Sequence, residues 1–188
     1  MTPRIATAAA RVYALPPTSL PVPAEPGPVQ LGAETLVRQL AGLGYPRYAH
    51  VRSRARANPA SVVLGAVSQD EVDARVTQAL PWVLARYPHV HWDWLLRQAK
   101  VRNAQNRLGF VVSLARELAE SRRDGEAVDR LATAERELED ARLLAEKTLG
   151  HESMPESERT WLRANRSALA RHWNVLSTLT LDQVRDAG

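Results

Sequence analysis

The sequence predicts an all-α fold, a helical bundle built around a long antiparallel αα-hairpin and preceded by a proline-rich arm. Three observations lead there. From about Asp93 to Ser121, Leu95, Leu96, Ala99, Leu108, Val111, Val112, Ala115 and Leu118 recur at intervals that suit one helical face. From about Glu126 to Leu149, Ala127, Leu131, Ala134, Leu138, Ala141 and Ala145 alternate spacings of four and three, a heptad seam of small and large residues. Nowhere does period-two alternation last long enough to define a strand.

The elements follow in order. Residues 1–30 read as a flexible arm, because Pro16, Pro17, Pro21, Pro23, Pro26 and Pro28 remove backbone donors and favour extended, polyproline-like conformations. Order is expected from Leu31. Leu36, Val37, Leu40 and Leu43 make the apolar face of a first helix, which Gly42, Gly44 and Pro46 end. A strongly basic segment follows, and Asn58-Pro59 marks its break. Pro59 opens a short apolar helix through Val62, Val63 and Val67. Ser68 and Glu71 read as a capping box for a helix burying Val72, Val76 and Ala79, which Pro81 is expected to interrupt.

Asp124-Gly125 supplies the turn between the two rods of the hairpin, and so short a connection makes them antiparallel. Glu126–Arg130, Arg136–Asp140 and Arg142–Glu146 are spaced as ion pairs, each worth about 0.2–0.5 kcal/mol on an exposed face. Gly150 closes the second rod, and Ser153 with Glu156 forms another capping box. Trp161, Leu162, Leu169 and Trp173 then line one helix or a broken pair, and Thr180 with Gln183 caps a last turn holding Leu181 and Val184. The expected organisation is an arm over 1–30, a single helical domain over 31–181, and a frayed C-terminus over 182–188.

Composition narrows the function. The chain has no cysteine, which excludes disulfides, thiolate metal sites and cysteine nucleophiles and makes a reducing cytoplasm the natural setting. Its apolar runs fall short of the roughly 18 residues of a membrane span, so no membrane partner is expected. Ala8–Ala10 runs into Arg11 rather than into an apolar stretch, which argues against a signal peptide. Charge is uneven: Met1 to Asn58 carries seven arginines against Glu25 and Glu34, whereas Glu120 to Arg159 carries twelve acids against seven bases. A polyanion partner at the basic end explains this, as does a merely uneven solvated surface.

No Gly-x-Ser-x-Gly elbow, phosphate-binding loop or dinucleotide fingerprint occurs, so no catalytic residue and no cofactor is assigned, and the chain is not expected to be an enzyme. His89-Val-His91-Trp-Asp93 would bring two imidazoles and a carboxylate to one face of a strand. These five residues resemble the start of the His-x-His-x-Asp-His motif of metallo-β-lactamase-type hydrolases, which implies a small metal-dependent hydrolase as an alternative. Position 94 is Trp where that motif has His. Before a helix, Asp93 reads better as a cap or first-turn acid, and no metal is assigned.

Two binding surfaces remain as candidates. Arg47, Tyr48, Arg52, Arg54 and Arg56 form a nucleic-acid candidate, since arginine's forked donor suits phosphate. A helix over Arg47–Ala57 would follow the first one across a glycine-containing turn, the outline of a helix-turn-helix. Trp92, Trp94, Arg97, Lys100, Asn103, Asn106 and Arg107 form a partner-binding candidate. Trp92 and Trp94 cannot both face one side of a helix, and asparagine is unusual in helix interiors unless it serves an exposed bonding surface. The ordinary alternatives are tryptophans wedged in the core and a plain solvated face.

The stretch from Gln69 to Glu120, QDEVDARVTQALPWVLARYPHVHWDWLLRQAKVRNAQNRLGFVVSLARELAE, resembles the non-DNA-binding part of bacterial helix-turn-helix regulators and antitoxins, as does WLRANRSALARHWNVL nearer the C-terminus. The resemblance implies a regulatory binding protein that holds a protein partner (a second copy or a toxin-like protein) or DNA. In such proteins a separate DNA-binding domain precedes this part, and here the proline-rich arm occupies its place. A helical protein–protein adaptor without nucleic-acid binding is the other reading.

Overall fold

The computed structural model describes residues 31–53 and 57–187, so the arm expected over 1–30 lies outside them. Among the described residues there are nine α-helices, one 3-10 turn and one pair of two-residue strands. No helix among them is long and apolar enough to cross a membrane.

Helix α1 (Ala33–Gly42) buries Leu36 and Leu40 and ends as the glycines suggest. Gly44 adopts φ +79°, a left-handed conformation that costs glycine nothing. The amide of Gly44 then donates to Ala41 O at 3.0 Å and that of Tyr45 to Leu40 O at 3.0 Å, which closes the helix end. Helix α2 (Pro59–Val67) starts where Asn58 Oδ1 accepts from the Ala60 amide at 2.9 Å. Every residue from Val62 to Val67 is buried, so this all-apolar helix runs through the interior.

The capping box expected at Ser68 does not form. Ser68 ends α2, and α3 (Ala74–Arg86) starts later, capped by Asp73. Glu71 is committed elsewhere: its carboxylate accepts from the Ser153 amide at 2.7 Å, and its backbone forms an antiparallel bridge with His151. Pro81 also fails to interrupt the helix. It lies within α3, where Ala79 to Ala85 are all buried, and this packing outweighs one missing backbone donor.

The first rod of the expected hairpin is two helices, α4 (Trp92–Val101) and α5 (Gln105–Ser121). Between them Asn103 adopts φ 54°, and the Ala104 amide donates back to Ala99 O at 2.9 Å, the same ending as α1 with asparagine for glycine. Helix α6 (Gly125–Glu139), capped by Asp124, buries Ala127, Leu131, Ala134 and Leu138 against α5. Ser113 donates to Glu135, and Arg116 Nε donates to Glu135 Oε2 at 2.6 Å. The seam stops there. Ala145 is exposed, and the chain leaves the helix after Glu139.

The reason lies at the start of α5, where Gln105, Asn106 and Arg107 are all buried. Gln105 Nε2 donates to Ala141 O at 3.2 Å, and Asn106 exchanges 2.8 Å hydrogen bonds with both the carbonyl and the amide of Leu143. These side chains satisfy a backbone that a longer helix would have satisfied internally.

After this irregular passage come β1 (Lys147–Thr148), α7 (Glu156–Asn165), α8 (Ala168–His172), β2 (Val175–Leu176) and α9 (Leu181–Ala187). The strands pair in parallel, Lys147 with Val175 and Thr148 with Leu176. A two-residue strand is too short to show alternation, so the fold is mostly helical rather than all-α. The box expected at Ser153 is absent, and Pro155 occupies the N-cap position of α7. The end expected to fray at 182–188 is helical through Ala187. Gln183 Oε1 accepts from the Thr180 amide at 3.2 Å, and Val184 and Ala187 are buried, with α9 lying against α3 and α5. Trp173, fully buried, lies over Gly109 of α5 and donates from its indole to Ser113 Oγ at 2.8 Å.

Candidate functional site

The basic segment contains no recognition helix among its described residues. Pro46–Tyr48 forms a 3-10 turn and Ala49–Ser53 is irregular, while Arg54 and Arg56 lie outside the described residues. Tyr48 and Val51 are the only apolar residues between Arg47 and Ser53 apart from the exposed Ala49, too few to anchor a helix against the core. Tyr48 is 7% exposed, so it is a core anchor rather than a platform for bases. It meets Tyr45 edge-on at 5.6 Å, and Tyr45 meets Trp82 edge-on at 5.3 Å. Burial pushes the Tyr45 hydroxyl up to about 12 and raises that of Tyr48 as well.

Arg47 and Arg52, by contrast, are exposed, and neither makes an ion pair among the described residues. Arg86, in the last turn of α3, is exposed too, with its guanidinium 5.6 Å from the centre of the Tyr87 ring. Beside it lies a recess of about 530 Å³, lined by Ala57, Asn58, Arg86, Tyr87, His89 and His91 among others. Ala57 and Asn58, where the described chain resumes after Ser53, line this recess together with Arg86. The sequence reading missed Arg86. Its only signal was a cation in the last turn of a helix, a common position that marks nothing by itself.

His89, His91 and Asp93 do not gather around a common point. His89 Nε2 lies 3.3 Å from Glu126 Oε1, whereas His91 Nδ1 accepts from the Trp94 amide at 3.2 Å and so caps α4. Asp93 sits exposed in the first turn of α4. Among the described residues no three histidine or acidic side chains are placed to hold one metal ion.

The partner-binding candidates divide. Trp92 and Trp94 are both half-buried against the main core, and the Trp92 indole donates to Pro88 O at 2.9 Å. Arg97 and Lys100 stand exposed on the outer face of α4, Val101 is 56% exposed, and Asn103 is exposed at the corner that follows. Asn106 and Arg107 do not continue this face, for both are buried. Arg107 Nε donates to Thr148 O at 2.6 Å. Its Nη1 donates to Val67 O and Gln69 O at 3.2 and 3.1 Å, and its Nη2 reaches Asp70 Oδ1 at 3.0 Å and Glu152 Oε2 at 3.5 Å. The density of polar side chains that suggested an outward bonding surface therefore serves an inward one.

No family model, curated protein or solved structure matches the chain. The fold and the site define its class by themselves: a mostly helical protein with Arg86 lining a shallow recess, exposed arginines at Arg47 and Arg52, and a polar outer face on α4.

Proposed function

We propose that the chain is a non-enzymatic regulatory binding protein and that Arg47, Arg52, Arg54, Arg56 and Arg86 engage the phosphates of DNA. The supporting observation is that Arg47, Arg52 and Arg86 stand exposed with no carboxylate paired to them among the described residues, and that Arg86 lines the recess of His89 and His91. Arginines with a structural role in this fold, such as Arg107 and Arg116, are tied to acceptors instead. Guanidinium groups suit phosphate oxygens, and contacts of this kind position a duplex without reading its sequence.

Fluorescence anisotropy of a labelled duplex, titrated at several salt concentrations, tests the reading. Affinity is expected to fall steeply with salt. In Arg47→Ala/Arg52→Ala/Arg86→Ala the salt slope is expected to shrink by roughly 0.9 for each phosphate that is no longer neutralised. Equal affinity in the triple variant removes the arginines from the account.

A second reading, a helical adaptor, draws on the outer face of α4, where Arg97, Lys100 and the exposed Val101 lie beside Trp94. A protein complex that tolerates salt and weakens on Trp94→Ala favours it over DNA binding.

A further inference from the structure

A second concavity lies away from the arginines, a cleft of about 600 Å³ bounded by the starts of α1 and α3, the Gly150–Met154 turn, α7 and the segment after β2. Its apolar wall is formed by Leu36, Val76, Leu149, Met154, Leu162 and Leu176, all buried. This volume falls within the range of small-molecule sites, and polar and apolar groups share its surface about equally.

The charged groups of the cleft have one sign. Glu71, Asp73 and Glu158 line it, and no arginine or lysine does among the described residues. The one other ionisable lining group, the His151 imidazole, lies 3.8 Å from Glu158. Arg159, next in the chain, is turned away to the carbonyl and carboxylate of Glu152. Two of the carboxylates are held in place by backbone amides, Glu71 by Ser153 at 2.7 Å and Asp73 by Arg75 at 2.7 Å. An amide orients a carboxylate without cancelling its charge, so the cleft presents fixed negative groups above an apolar wall.

We infer that this cleft binds a small organic cation, a protonated amine carried on an apolar body. The ammonium pairs with Glu71 and Glu158 at the rim while the hydrocarbon covers the wall. Anions of the same shape are rejected, because a carboxylate there would face three others. The inference uses none of the residues assigned to DNA, so either can fail without the other.

The test is isothermal titration calorimetry of the full chain with benzylamine, phenethylamine, octylamine and spermidine, and with phenylacetate as the anionic counterpart of phenethylamine. At least one amine carrying an apolar body is expected to bind with 1:1 stoichiometry and phenylacetate not at all. Glu71→Gln/Glu158→Gln keeps the shapes and the acceptor for Ser153 and is expected to weaken amine binding at least tenfold. Ala74→Trp, a change at the exposed first residue of α3, blocks the cleft and is expected to abolish binding with the carboxylates intact. Absence of saturable binding across all four amines, tightest binding by spermidine, binding of phenylacetate equal to that of phenethylamine, or amine binding untouched by both variants overturns the inference.

Discussion

At the scale of single residues, two positions in α5 show how much of the fold hangs on particular side chains. A β-carbon built on Gly109 would lie 2.3 Å from the Trp173 ring, and that ring is wholly buried and hydrogen-bonded to Ser113. Gly109→Ala is therefore expected to cost about 1–3 kcal/mol, the range for overpacking a dense core, because the indole has nowhere to retreat. Urea unfolding followed by circular dichroism measures it, and an unchanged midpoint would mean that α5 and α8 are not in contact there. Arg107 was legible as an oddity but not as an inward one. Sequence shows a polar residue's spacing, whereas the acceptors that draw it inside, on Val67, Gln69 and Thr148, lie some forty positions away on either side. Tyr48, a nucleic-acid candidate for standing beside arginines, belongs to the core for the same reason: the Trp82 that packs on its neighbour Tyr45 lies far along the chain.

At the scale of elements, local signals were read well where they act locally. The ending of α1 at Gly44, the start of α2 at Asn58, the turn at Asp124 and the cap at Thr180 all depend on residues within a few positions. The elements that differ are those where a distant partner intervenes. Glu71 is taken by Ser153, Pro81 is carried by a buried helix, and the heptad seam ends at Leu138 because Gln105 and Asn106 capture the following backbone. The break between α4 and α5 turns on Asn103, whose φ of 54° glycine tolerates better and a β-branched residue poorly. Asn103→Gly is expected to leave stability equal or slightly raised, and Asn103→Val to lower it by about 1–2 kcal/mol. Should thermal unfolding show both variants alike, the corner is not held by that left-handed residue.

Across the whole molecule, the seam between the α2–α3 connection and the C-terminal third responds to acid. Burial acts to raise the Glu152 carboxyl. Hydrogen bonds from Thr148 and Arg159, with the charges of Arg159 and Arg107, outweigh it and hold Glu152 below its ordinary value of 4.5. Because the folded value lies below the unfolded one, the unfolded chain takes up the proton first as pH falls. The contribution of Glu152 is therefore complete above about pH 4.5 and is lost as pH drops through the depressed folded value. Glu117 works the other way: burial raises its carboxyl, so the cost of ionising it in the folded state eases on acidification. Urea midpoints measured from pH 7 to pH 3 are expected to fall more steeply for the native chain than for Glu152→Gln. Identical profiles would place the acid sensitivity elsewhere.

The guanidinium buried at the head of α5 also carries a genealogical consequence. It donates from all three of its nitrogens, to three carbonyls and two carboxylates drawn from separate stretches of chain. A lysine brings one point charge to such a socket and an apolar isostere brings none, so neither replaces it without orphaning several acceptors. Surfaces drift quickly among descendants of one ancestor, while an obligation of this kind does not. Arg107 at a helix start is therefore expected to persist in any remote kin of this fold, and an alignment in which that position varies freely would overturn the expectation.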